Sequence, residues 1–510
     1  MEALQTIPHQ DCIELLRVFD VGSPIAENDV LLNEARVETA VFAQLLCDSV
    51  DIIRGTKGSG KSALYRLFTT YLLEWLRNNH SVAVIRGIEV TGDPIFLKFR
   101  NQFVSFDQVA FQNFWRIYFL SLVNTQFISS PAYETRLSPA KPELKDYKNK
   151  AKLHGFPLPQ SLLTPDGLVS WVLAKMPKSK VKVTLEPDGG LSGSVEFRDA
   201  PEVNEEPVPL FIQEIHDALA RLLAKTGLRL WIMLDRLDEV FPRRSKVETV
   251  ALRALLKTTT SFDTPWIRLK LFLRDDIFDS ITEAPGGFPA LTHVMSRCSS
   301  TLKWDKEQIL RLIVNRVCAN QRMASYFRIS KEQLDQDVRY REQVFYGIFP
   351  SKLRRGKNQS GTLDWLYKHC EDGNGVVTPR DVIDLIKMAT AHQTDACLAQ
   401  ATDWPSLLSS QSVLKGYQDM STRKKETYLK AEFDHYWPVI EKFENRKAEH
   451  DHASLARLLG PEWRRTVRDL ESIGFLTENP RAGTYSIPFL YRHCLNVRQG
   501  RATAAGGARR

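Results

Sequence analysis

The chain has 510 residues, of which 43% are hydrophobic and 25% charged, with a net charge of +8. No apolar run approaches the roughly 18 residues that would span a bilayer, and the start MEALQTIPHQDCIELL carries early acids rather than a basic-then-apolar signal pattern. The seven cysteines are scattered, odd in number and never spaced as CxxC, which argues against a disulfide framework and a zinc site. These features lead to the expectation of a multidomain cytoplasmic protein without a membrane partner.

The first informative stretch is residues 50–79. VDII is a short β-branched run that predicts a strand. KSALYRLFTTYLLEWLRNN places apolar residues at 64, 67, 68, 72, 75 and 76, a helical period. Between them, Gly55-Thr56-Lys57-Gly58-Ser59-Gly60-Lys61-Ser62 fits GxxxxGK[ST] in the strand–loop–helix setting that a phosphate cradle requires. Glycines let backbone N–H groups curl around phosphates without Cβ clashes, and a helix starting near Lys61 points its positive end at the same charge. Lys61 is expected to reach the β- and γ-phosphates of ATP, with the Ser62 hydroxyl on Mg²⁺.

Residues 106–127 predict a core helix, after which composition turns to Pro, Lys and Ser. KVKVTLEPDGGLSGSVEF (180–197) alternates and turns at Pro187-Asp188-Gly189-Gly190, a hairpin signal. The apolar run LRLWIML ends in Asp235, a candidate for the Mg²⁺ shell at the end of a strand near the cradle. Asp238 or Glu239, just past it, is positioned to polarise an attacking water. IRLKLFLRDDIF (267–278) predicts another strand, whose terminal Arg274 is a candidate γ-phosphate sensor, with Asp275 behind it and a solvated strand end as the competing reading. Arg243 and Arg244 are a candidate finger toward a neighbouring subunit.

An amphipathic helix is expected over 302–318. Thr378-Pro379 opens another, proline being well placed where its missing N–H would be orphaned anyway. Arg380 in that first turn suits a second γ-phosphate sensor on a helical lid; a surface arginine is the alternative. Residues 429–497 predict a winged helix: a helix over 429–447, a short one at 452–460, then EWRRTVRDLESIGFL and a hairpin around Asn479-Pro480. Trp463, Val467 and Leu470 face inward there, leaving Arg464, Arg465 and Arg468 outward and Arg481 on the wing, able to meet phosphates or guanine edges of duplex DNA. The last 70 residues hold 13 Lys/Arg against 8 Asp/Glu. A protein-docking role for this region is the alternative to DNA, and the tail GRATAAGGARR is expected to be disordered.

The fold expected is α/β, a P-loop NTPase core of parallel sheet flanked by helices, with a helical lid and a C-terminal winged-helix domain. Its division is a core in two parts (1–130 and 208–300), an insertion with a β-hairpin (131–207), a lid (301–425), the winged helix (426–498) and a tail (499–510). GTKGSGKSAL, LDRLDE, AENDVLLNEARVETAVF, LFLRDDIF and TPRDVIDLI together resemble a group of bacterial P-loop ATPases of STAND/AAA+ affinity. LDRLDE resembles the NACHT-type arrangement, and the lid with its terminal domain resembles AAA+ initiators. One departure is the stretch of about 170 residues between Ser62 and Asp235, long for a P-loop core. The resemblance implies an ATP- and Mg²⁺-dependent switch, closing through Arg380, that oligomerises or engages an effector in antiviral defence. A DNA-binding initiator or loader, and a nucleotide-bound scaffold with little hydrolysis, are the other readings.

Overall fold

A computed structural model describes residues 6–87, 103, 106–156, 165–175, 180–185, 191–196, 208–240, 245–261, 264–283, 287–288, 290–356 and 359–502. The chain divides into two compact units: 1–39, 57–60 and 303–510 form one, and 40–56 with 61–302 form the other. The chain opens with helix α1 (His9–Val18), which belongs to the first unit.

The second unit is built on strands β1 (Ile52–Gly55) and β2 (Val82–Arg86), and on β5 (Arg229–Leu234) and β6 (Ile267–Arg274), which follow the hairpin strands β3 (Lys180–Leu185) and β4 (Leu191–Glu196). The four pair in parallel in the order β1-β6-β5-β2. β2 (VAVIR) and β5 (RLWIML) are largely apolar, as burial on both faces of a parallel sheet favours, while β6 (IRLKLFLR) carries Arg268, Lys270 and Arg274 among its apolar residues. Helices α2 (Lys61–Arg66), α3 (Gln108–Val123), α4 (Lys141–Leu153), α5 (Val208–Thr226) and α6 (Lys246–Ser261) belong to this unit. The Trp115 indole of α3 donates to the Ala251 carbonyl of α6 at 2.9 Å.

Lys270, in β6, is fully buried. Its ammonium donates to Asp51 at 2.8 Å and to the Val50 carbonyl at 2.6 Å, with Asp48 at 2.5 Å, and lies 4.8 Å from the Trp231 ring. A lysine is tolerated at full burial when its three donors are satisfied in this way.

The hairpin β3–β4 is antiparallel as expected, from Lys180↔Glu196 to Leu185↔Leu191; its turn lies outside the described residues. The span expected as an insertion from 131 is different in kind. Tyr147 and Ala151 of α4, with Phe156 and Val172, are buried in the same core as the sheet. The lysines of α4 dilute its composition, yet one apolar face suffices to bury it.

In the first unit the principal helices after α1 are α7 (Lys306–Ala319), α8 (Thr362–Cys370), α9 (Pro379–Ala399) and α10 (Ser410–Lys424). A capping box of Asp305 and Gln308 starts α7, satisfying two otherwise orphaned donors. Thr378 caps α9, with Pro379 at its first position. Gly416 lets α10 approach α9: a Cβ there would lie 2.5 Å from the Ala389 nitrogen. Helix α1 packs on α9, bringing the Cys12 and Cys397 sulfurs to 3.3 Å. Residues 1–39 therefore cluster with 303–510 rather than with the rest of the 1–130 segment that the sequence suggested as core.

The carboxyl end contains β7 (Lys447–Asp451), α11 (His452–Leu459), α12 (Trp463–Ser472), β8 (Thr477–Asn479), β9 (Thr484–Ser486) and β10 (Arg498–Ala502), with sheet order β10-β7-β9-β8. The helix expected over 429–447 is instead a series of short turns ending at the start of β7. Residues 500–502, assigned to a disordered tail, are strand: pairing of β10 with β7 supplies backbone bonds that its side chains did not announce.

His369 in α8 stacks on Trp365 at 3.8 Å and meets Phe489 at 4.5 Å. Burial pushes its pKa down from 6.5 to about 4, so the unfolded chain takes up this proton first. Its contribution to stability is intact above pH 6.5 and declines as pH falls from 6.5 toward 4. His369→Phe keeps the stacking and is expected to flatten that decline, read as the gap in melting midpoint between pH 7 and pH 5.

Candidate functional site

In the second unit, β1 ends at Gly55, whose register partner is Arg274, the last residue of β6. Lys61 opens α2 and is 9% exposed. Its ammonium turns back into the loop and donates to the Gly55 and Thr56 carbonyls, both at 2.8 Å. Ser62 follows, half-buried. Strand β6 lies between β1 and β5, so the carboxylate strand is next but one to the loop strand. Asp235 follows the last residue of β5, and the chain then turns at Arg236 with φ +55°. The Glu239 amide donates to the Arg236 carbonyl at 3.0 Å, and their side chains pair at 3.8 Å. The Asp238 side chain and residues 241–244, with Arg243 and Arg244, lie outside the described residues. Arg274 is buried and makes a bidentate contact to Asp276 at 3.0 and 2.8 Å. Asp275 instead accepts from Arg54 at 3.1 Å.

Loop residues 57–60 belong to the first unit. Gly58 and Gly60 have φ +88° and +104°, a region that disfavours side chains. A Cβ on Gly58 would come within 3.3 Å of Thr378 Oγ1 and Arg380 Cβ. Ser59 is fully buried; its carbonyl accepts from the Trp304 indole at 2.7 Å, and its hydroxyl has no hydrogen-bond partner. The Lys57 ammonium pairs with Glu432, a carboxylate only 5% exposed. Arg380, half-buried in the first turn of α9, donates to the Pro24 carbonyl at 3.4 Å. Beneath it, Asp381 takes the Lys424 ammonium at 3.0 and 2.8 Å. Arg423 meets Asp384 at 3.2 Å, whose pKa burial raises despite that neighbour.

The donor set suits a polyphosphate: amides made accessible by two glycines in the left-handed region, an ammonium inside the curl, and a hydroxyl at the helix start. Asp235 and the Ser62 hydroxyl are hard oxygen donors of the kind Mg²⁺ takes while keeping several waters. Sequence reasoning missed Glu432, Asp381, Lys424 and Trp304. They meet residues far away in the chain, and no local pattern marks them.

A separate basic face lies at the carboxyl end. Val467 and Leu470 of α12 are buried, while Arg464, Arg465 and Arg468 are exposed, as is Arg481 in the turn between β8 and β9. The Arg464 guanidinium lies over the Trp463 ring at 4.8 Å.

The sheet and the glycine loop define an α/β P-loop fold with helices around a parallel sheet. No protein-family model matches the chain. Over 319 residues it is 24% identical to the "Putative transposon gamma-delta 80.3 kDa protein" of Escherichia coli K12, a match covering 61% of this chain and 40% of that protein. The chain thus spans less than half the length of the curated relative it matches. Among solved structures, the ORC2 protein of Aeropyrum pernix in ADPNP–ADP complexes aligns over 92% of this chain and 93% of its own, with 12% identity and a TM-score of 0.40. No helix among the described residues is long and apolar enough to cross a membrane.

Proposed function

We propose that the chain binds and hydrolyses ATP and uses the nucleotide state as a switch. The observation that carries this reading is the loop itself, with Gly58 and Gly60 at positive φ and the Lys61 ammonium turned onto the Gly55 and Thr56 carbonyls. Lys61 would exchange those carbonyls for phosphate oxygens. Ser62 and Asp235 would hold Mg²⁺, which when bound neutralises phosphate charge. Asp238 or Glu239 would orient the attacking water, while Arg274 and Arg380 would respond to the γ-phosphate. Positioning and charge neutralisation supply most of the acceleration in such reactions. A homo-oligomer, an effector partner and a setting in bacterial defence belong to this reading through the family resemblance alone.

A second reading, a DNA-binding initiator-like ATPase with a winged helix, is favoured by the exposed arginines of α12 and the β8–β9 turn, and by a relative whose name ties it to a transposon. Phosphate release with and without duplex DNA separates the two. The switch reading expects turnover that DNA leaves unchanged. Stimulation by DNA, lost in Arg464→Glu/Arg465→Glu and weakening steeply with salt, would overturn it in favour of the second.

A further inference from the structure

We propose that Glu432 is a latch on the phosphate loop: it holds Lys57 while the loop is without nucleotide and gives way when a triphosphate enters. The inference rests on the ATP-binding reading and adds a regulatory contact to it.

Lys57 is the third residue of the loop, and its ammonium pairs with Glu432. The lysine is 32% exposed but the carboxylate only 5%, so drawing Lys57 away takes a cation from a buried carboxylate, which is costly. Glu432 also stands beside a loop whose ligand would carry several negative charges. Like charge at short range and low solvent exposure disfavours that ligand. Both effects act in one direction: Glu432 weakens nucleotide binding, and binding weakens the Glu432–Lys57 pair.

The surroundings can respond. Glu432 follows Lys425–Lys430, a π-helical turn, and precedes the 3₁₀ turn Asp434–Tyr436, which runs on into the helical turn Trp437–Ile440. Short π and 3₁₀ stretches inside a helical segment are frequent at hinges and functional sites. Lys57 lines a pocket in which Lys424 pairs with Asp381 and Arg423 with Asp384. Lys57 is the cation that the loop tip itself contributes to these pairs. Release of Glu432 would free the segment that leads into β7, α11 and α12.

The test is calorimetric titration of Mg·ATP and Mg·ADP into wild-type full-length protein, Glu432→Gln, Lys57→Met and the double variant, with melting curves as a folding control. Glu432→Gln is expected to tighten ATP binding roughly 5- to 30-fold, the range of ordinary coupling between sites, and to have little further effect in the Lys57→Met background. Lys57→Met removes the exposed partner, so it tests the pair even if Glu432→Gln folds poorly. Unchanged affinity in Glu432→Gln, or an equal gain in both backgrounds, would overturn the latch while leaving ATP binding intact. Absence of binding by the wild type would overturn the ATP reading, and the latch with it.

Discussion

Lys61→Ala is expected to lower ATP turnover by about 100-fold or more, the scale seen when one preorganised charge-stabilising donor is removed from a reaction centre. The same change should weaken ATP binding. The argument lies in the loop. Lys61 is nearly buried, and its ammonium is held by two carbonyls of its own loop at 2.8 Å. Those bonds preorganise the charge inside the curl, so it needs no long reach to meet a phosphate. Structurally the substitution removes two bonds to main-chain carbonyls, a cost of about 1 kcal/mol each. Phosphate release should therefore collapse while the melting midpoint moves little. Turnover within a few-fold of wild type would remove Lys61 from the chemistry.

The second large effect concerns stability. Arg316→Ala is expected to destabilise the unit containing it by roughly 3–5 kcal/mol, because it strands a buried carboxylate. Arg316 and Asp29 are 5% and 3% exposed and pair at 2.6 Å. Arg316 also donates to the Val21 carbonyl at 2.6 Å, and Asp29 accepts from the Ser23 and Leu31 amides at 3.2 and 3.3 Å. This one pair thus fixes the 20–32 segment on α7. A Cβ on Gly22 would lie 2.1 Å from the Arg316 guanidinium, which leaves no room to repack. The segment also holds side chains of α9, since the Pro24 carbonyl takes Arg380 and the Gly22 carbonyl takes Lys387 at 3.1 Å. Replacing both partners by apolar residues, as in Asp29→Leu/Arg316→Met, should recover much of the lost stability without restoring the loop's exact path. Urea unfolding of the three variants measures this, and a loss under 1 kcal/mol in Arg316→Ala would contradict it.

The loop and the carboxylate strand were legible because their signals are local. A glycine-lysine run between a β-branched strand and a helical period depends on neighbours in sequence, as does an apolar run ending in Asp235. The hairpin at 180–196 and the cap at Thr378 were legible for the same reason. Pairings between distant segments were not. Nothing in IRLKLFLR says that β6 lies between β1 and β5, and Asp29–Arg316 and Lys57–Glu432 join residues hundreds of positions apart. Composition misled where one face of a polar helix suffices for burial: α4 is rich in lysine, yet Tyr147 and Ala151 seal it against the core. It misled again at the carboxyl end, where backbone pairing with β7 orders residues up to Ala502 that carry almost no apolar side chains.

The most direct test of nucleotide hydrolysis is steady-state phosphate release from ATP by the wild-type protein in Mg²⁺ and in excess chelator, beside Asp235→Asn, which keeps the side chain's shape and removes its charge. Turnover that requires Mg²⁺ and falls by about 100-fold in Asp235→Asn is the predicted result. Equal turnover by wild type and Asp235→Asn, or release indifferent to the chelator, would contradict it.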